Sequence, residues 1–170
     1  CDVHEDVASN AGDDVNGLSG DDPKLYKDYR ELLEKEKPEI VIIATPDHWH
    51  ALQTIAACKA GAHVLVEKPL WAPGDAELQA MQQLARDKGA YCYTAYNHRF
   101  EPHFAAMKAV IDSGRLGRIY RCRMFYGNGT ARLVRESEWR DQGAGVLPDL
   151  GSHLLDTALF WFGGVADDLR

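Results

Sequence analysis

Three short clusters carry most of the chemistry available to this 170-residue chain. The first is Thr45-Pro46-Asp47-His48-Trp49-His50, directly after a β-branched run. If that run is a strand of an open parallel sheet, the cluster lies beyond its carboxyl end, where such sheets bind ligands. The helix beginning there offers N–H groups and a positive dipole end to an anion such as a pyrophosphate. Asp47 serving only as a helix cap explains the same residues. His48 and His50 have metal-ligand types, but no third ligand is near in sequence, and no metal is expected. The second cluster is Glu67-Lys68-Pro69. A lysine at the rim of a ligand crevice can hold a substrate hydroxyl and stabilise the alkoxide that develops there. An ordinary exposed lysine after a strand reads the same way. The third is Asp149-Leu150-Gly151-Ser152-His153-Leu154-Leu155-Asp156. On a helix Asp149, His153 and Asp156 share a face, and carboxylates beside an imidazole favour its protonated form, which suits acid–base work. A salt-bridged histidine on a helix surface fits equally well. Gly151 would let a ligand approach closely.

The elements that must position these clusters follow from periodicity. Leu25, Tyr29, Leu32 and Leu33 fall at helical spacing up to Pro38. Ile40 to Ala44 reads as a strand buried on both faces. Leu52, Ile55 and Ala56 predict a helix closing at Gly61, and His63 to Val66 a second buried strand. A helix with Leu78, Met81, Leu84 and Ala85 ends at Gly89. A strand over Tyr91 to Ala95 and a helix from Phe104 to Gly114 follow. Alternating strands and helices predict an α/β fold, a Rossmann-like doubly wound parallel sheet with helices on both faces. Cys1-Asp2-Val3 reads as the end of a preceding strand, and Asn10 to Asp22, rich in Gly, Asp and Asn, as a surface loop. From Ile119 to Tyr126 the pattern becomes alternating, as in a half-exposed antiparallel strand. A polar Gly-rich loop and a helix from about Pro148 to Phe162 complete the chain. The expected domains are 1–116 and 117–170.

A net charge of -7 argues against a nucleic-acid partner, since phosphate binding needs clustered Lys and Arg. Hydrophobic residues make up 45% of the chain, enough for a globular core, and no run reaches the roughly 20 apolar residues of a membrane span. Cysteines 1, 58, 92 and 122 form no CxxC pair and read as reduced thiols, with Cys58 and Cys92 in apolar segments; the expected compartment is cytoplasmic.

Taken together, Thr45 to His50, Glu67-Lys68-Pro69, Tyr96-Asn97-His98-Arg99-Phe100 and Asp149 to His153, in this order and spacing, resemble the Gfo/Idh/MocA oxidoreductases, which include glucose–fructose oxidoreductase and inositol dehydrogenase. The resemblance covers nearly the whole chain. It implies a Rossmann domain for NAD, with NADP possible, and the start of a second, α+β domain with a mostly antiparallel sheet, carrying substrate contacts and the oligomer interface, so a homo-oligomer when complete. It implies Lys68 as the catalytic lysine, His153 as proton donor or acceptor and Asp149 as its partner. It places Thr45, Pro46, His50, Glu67, Lys68 and Asn97 on the cofactor side, and it matches Pro69 to a proline that often follows a cis bond. Asp2 matches the acid that binds the ribose 2′-OH in enzymes preferring NAD; a terminal aspartate without a role fits too. Arg132, Trp139 and Arg140, in the loop before the last helix, are candidate substrate contacts.

The chain contains no G-x-G-x-x-G. The first strand and its phosphate-binding turn are expected upstream of Cys1, and most of the second domain beyond Arg170, so the piece alone is expected to bind cofactor weakly and to be inactive. For the whole enzyme the resemblance implies hydride transfer between nicotinamide and a hydroxyl carbon of a sugar or cyclitol. An NAD-dependent glycosidase working by transient oxidation and elimination is the first alternative. A non-catalytic nucleotide- or sugar-binding sensor is the second, against which the presence of both Lys68 and His153 speaks.

Overall fold

The computed structural model describes residues 1–70, 74–127 and 147–163. The chain divides into two compact units, Cys1–Thr94 and Ala95–Arg170. In the first, α1 (Glu5–Ser19) and α2 (Tyr29–Glu36) precede β1 (Ile40–Ile43), α3 (Asp47–Lys59), β2 (His63–Val66), α4 (Asp75–Lys88) and β3 (Cys92–Thr94). The strands form a parallel sheet in the order β1-β2-β3, with α3 and α4 as the crossovers. This is the α/β Rossmann-like arrangement that the alternating sequence pattern predicts.

One apolar cluster positions the sheet. Val41 pairs with Val64 and Ile43 with Val66, so these four side chains point to one face. There they meet Leu33 of α2, Ala57 and Cys58 of α3, and Ala85 of α4. Burying each of the larger side chains contributes roughly 1.5–3 kcal/mol. The other face differs from the expectation that β1 is buried on both sides: Ile40 and Ile42 are exposed. The helices that join this cluster all lie on the Ile43 face, and a strand's alternation leaves every second residue on the other. Cys92, expected in an apolar setting, is likewise exposed on β3. Cys58 is buried, and burial pushes its thiol above the ordinary range.

The predicted loop over residues 10–22 is instead the body of α1. Its apolar residues Val7, Ala8, Ala11, Val15 and Leu18 recur at helical spacing between the polar ones. Glu5 and Asp6 suit the positive end of the helix, and Gly20 closes it at φ 78°, donating its N–H to Asn16 O. Gly12 packs closely, since a Cβ there would stand 3.2 Å from Leu25 Cδ2 and that side chain would have to shift slightly. Residues 1–3 pair with no strand among the described residues; the Asp2 N–H donates to Tyr26 O, and Asp2 Oδ1 accepts from His4 N–H at 2.9 Å.

The second unit holds a 3-10 turn (Asn97–Phe100), α5 (Pro102–Asp112), a π turn (Leu147–Gly151) and α6 (Ser152–Phe162). The alternating segment 119–126 pairs with no other strand among the described residues. A ladder needs a neighbouring strand to supply its hydrogen bonds, so alternation alone does not make a strand. The Gly-rich loop with Arg132, Trp139 and Arg140 lies outside the described residues. No helix among the described residues is long and apolar enough to cross a membrane.

Candidate active site

In the first unit, candidate residues gather where β1 and β2 end. Ile43 and Val66 are paired, and one further bond, Glu67 N–H to Ile43 O at 2.8 Å, closes the ladder. Thr45 and Lys68 therefore leave the sheet just beyond its last rung. The Lys68–Pro69 peptide is cis, as the resemblance implied. Thr45 Oγ1 donates to Gln53 Oε1 at 2.8 Å. Asp47 accepts from the His48 N–H at 2.8 Å and Trp49 N–H donates to Pro46 O; Pro46 is the N-cap of α3 and no side chain caps it, so Asp47 is the first residue of the helix rather than its expected cap.

His50 is 2% exposed, and both of its ring nitrogens are engaged. Nδ1 lies 2.8 Å from Pro69 O and Nε2 2.8 Å from Thr45 O. Carbonyl oxygens only accept, so the ring donates from one nitrogen, and from both when protonated. Neither nitrogen is left over for a metal or a cofactor; His50 fastens the β1 exit loop to the β2 exit loop. Replacing it with Leu removes the donor from one of these carbonyls, or from both when the ring is protonated, at about 1–3 kcal/mol for each oxygen left unsatisfied. A His50→Leu variant of the complete protein is expected to unfold at clearly lower denaturant concentration; an unchanged midpoint would show that the two loops hold without the ring.

These loops present polar groups beyond the strand ends. The apolar core stops at Val66, and beyond it come the exposed Glu67 carboxylate, the half-buried Lys68 and the half-buried Thr45 hydroxyl. Such a rim is polar where a ribose or a reacting hydroxyl would need partners.

In the second unit, α6 buries His153, Asp156 and Thr157. Rings surround His153: His98 at 4.5 Å between centroids, Tyr126 at 5.5 Å, and Tyr96 edge-on at 6.0 Å. Burial first, and then the Asp156 charge, hold the Tyr96 phenol above its usual range. His98 stacks on Phe104 at 4.8 Å, and Phe104 on Trp161, whose Nε1–H donates to Phe104 O at 3.2 Å. A cavity of about 240 Å³ opens beside the two imidazoles, walled by Phe104, Met124, Tyr126, Leu154 and Trp161 among others.

Asp156 does not flank His153 as a free carboxylate, contrary to the sequence reading. Arg99 takes it in a forked pair, Nε donating to Oδ2 at 2.8 Å and to Oδ1 at 3.1 Å, with Nη2 on Oδ1 as well. A planar guanidinium matches both carboxylate oxygens, which turns this side chain toward the 3-10 turn. Asp149 is exposed and sits in the π turn, where its carbonyl accepts from Ser152 Oγ at 3.1 Å. Gly151 has a local reason: a Cβ there would stand 2.9 Å from Leu147 Cδ1. Reading the residues missed Arg99 as the partner of Asp156, and missed His98, Glu101 and Tyr126 around His153. The only signal available was the Tyr96 to Phe100 run, since the partners lie 57 residues apart.

Comparison with known proteins agrees with this fold. Residues 10–96 match the oxidoreductase family described by its NAD-binding Rossmann fold, and residues 104–169 match the Gfo/Idh/MocA C-terminal domain. A levoglucosan dehydrogenase from Pseudarthrobacter phenanthrenivorans is 36% identical over 141 residues, 80% of this chain and 36% of that protein. The NADP+-dependent scyllo-inositol 2-dehydrogenase of Bacillus subtilis is 30% identical over 84% of this chain and 40% of its own length. Among solved structures, a levoglucosan dehydrogenase in complex with NADH and levoglucosan superposes with a TM-score of 0.73 at 30% identity, covering 94% of this chain and 43% of that one. The chain thus spans well under half the length of the relatives it matches. It belongs to the Gfo/Idh/MocA family of oxidoreductases, with the family's NAD-binding Rossmann fold in its first part and its C-terminal domain in its second.

Proposed function

We propose that the complete protein is an NAD-dependent dehydrogenase that oxidises a hydroxyl carbon of a sugar or cyclitol. The observation that carries the reading is the placement of Lys68, one residue past the last rung of the parallel sheet, in a chain that also carries a buried histidine at position 153. The named activities of its relatives on levoglucosan and inositol support the substrate class. In this reading Lys68 holds the reacting oxygen and stabilises its negative charge as the C–H bond breaks. His153 accepts the hydroxyl proton, and Asp149, one turn earlier, orients it. Thr45, Pro46, Glu67 and Asn97 line the cofactor, His50 fixes the loops that do so, and Asp2 binds the ribose 2′-OH, which favours NAD over NADP. Bound NAD+ supplies the hydride acceptor.

The test uses the complete protein with NAD+ or NADP+ and a panel of sugars and inositols, following reduced nicotinamide. NADH formed with one polyol, and lost in Lys68→Ala, supports the proposal. A glycoside cleaved with no net NADH would replace it with the redox-cycling glycosidase. Tight nucleotide binding with neither reaction would replace it with a sensor.

A further inference from the structure

We propose that His103, Glu101 and His98 form a proton relay between solvent and His153. The inference rests on the reading of His153 as the proton acceptor, and its primary test is independent of that reading. All four residues lie in the second compact unit. His103 Nε2 stands 3.2 Å from Glu101 Oε2, and the other oxygen of the same carboxylate stands 2.5 Å from His98 Nδ1. The His98 ring then meets the His153 ring at 4.5 Å between centroids. Side-chain exposure falls along this line, from 72% at His103 to 32% at Glu101 and 12% at His98. His153, at the inner end, is 6% exposed. The series therefore runs from open solvent to the buried imidazole, with a titratable group at every step.

The hydrogen-bonding chemistry gives the relay a direction. A carboxylate accepts, so His98 carries its proton on Nδ1 toward Glu101. That leaves Nε2, which is buried and has no hydrogen-bond partner among the described residues. Having no such partner, it shares no hydrogen bond with His153, so a proton from His153 reaches it through water in the cavity that both rings line. The stack on Phe104 holds the ring in place while this happens. Tyr96 and Tyr126 are the other titratable groups whose rings meet His153, and a phenol is a poor acceptor near neutral pH. Asp156 is held by Arg99 and Asp149 serves as the orienting partner of His153, so Glu101 is the carboxylate on the His98 side.

The reaction requires such an exit. Oxidation of R2CH–OH sends a hydride, with both electrons, to the oxidised nicotinamide. The hydroxyl proton goes to His153, and the C–O bond becomes C=O. His153 must lose that proton before the next turnover. His98 takes it at Nε2 and releases the Nδ1 proton to Glu101, which passes it to His103 or water; reduction of a ketone runs the same path inward.

The test uses the complete protein and two near-isosteric variants, His98→Phe, which keeps the stack on Phe104, and Glu101→Gln. The primary readout needs no turnover: the exchange rate of the His153 ring N–H with solvent, by NMR on the cofactor-free protein. Exchange is expected to slow about tenfold in both variants, a modest share of what a positioned proton carrier contributes. The wild-type His98 ring is expected to show the Nδ1–H tautomer. With an active substrate in weak buffer, kcat is expected to fall about tenfold at unchanged KM and to recover with added imidazole, which the adjoining cavity can admit. A structural defect would not recover in this way. Equal exchange rates in all three proteins, or an Nε2–H tautomer at wild-type His98, overturns the relay. Slowed exchange without oxidation of any polyol upholds the relay and removes the dehydrogenase reading.

Discussion

Lys68→Ala in the complete protein is expected to lower kcat/KM for its best polyol by about 10²–10³-fold, or roughly 3–4 kcal/mol of transition-state stabilisation. The magnitude follows from the job assigned to the ammonium group. Charge grows on the reacting oxygen as the hydride leaves, and a fixed cation in a water-poor site is worth more in that state than in the ground state. The loss should appear mainly in kcat, with cofactor affinity changed little. Stability should change by less than about 0.5 kcal/mol, because the surrounding backbone is held by other atoms. Glu67 N–H bonds Ile43 O, and the His50 ring lies against Pro69 O. Lys68→Arg is expected to recover little, since a planar fork does not place its charge where a compact ammonium does. Steady-state kinetics with a binding titration for NAD+ measures both parts. Near-normal turnover in Lys68→Ala would end the assignment.

The largest stability effect is expected at Arg99. Arg99→Ala leaves the Asp156 carboxylate, 7% exposed, without its forked partner. An uncompensated buried charge costs about 3–5 kcal/mol, and the lower end applies here because water can follow into the space the guanidinium leaves. The reverse change is expected to be milder. Asp156→Ala leaves an arginine that is already 34% exposed and can turn outward, at about 1–2 kcal/mol. The asymmetry distinguishes a buried-charge penalty from a simple loss of one contact, which would make the two variants equal. The pair also ties the 3-10 turn to α6, so Arg99→Ala should loosen the helix that carries His153. Thermal and urea unfolding of the complete protein, with the two variants side by side, measures it. An Arg99→Ala variant within 1 kcal/mol of wild type, or one less affected than Asp156→Ala, would contradict the account.

The sequence by itself determined the alternation of strands and helices from Ile40 to Asp112 and the motifs at the strand ends. Both are local properties: β-branched runs such as Ile40 to Ile43, Gly89 after the last residue of α4, and Glu67-Lys68-Pro69 all act within a few residues. It determined the family for the same reason, since spaced motifs survive without any knowledge of contacts. Local reading fell short where two patterns overlapped, as in α1, whose Gly, Asp and Asn residues spoke for a loop while Val7, Ala11 and Val15 kept helical spacing. Only the tertiary structure decided which partners meet. That Asp156 belongs to Arg99, that His98 lies against His153, and that His50 joins Thr45 to Pro69 depend on side chains brought together by the path of the chain. So does the burial of Ile43 beside an exposed Ile42, because alternation states that two faces differ but not which one a helix will cover. Periodicity constrains what each residue faces on its own element; the identity of a partner 57 residues away is set by packing, which leaves no trace in local order.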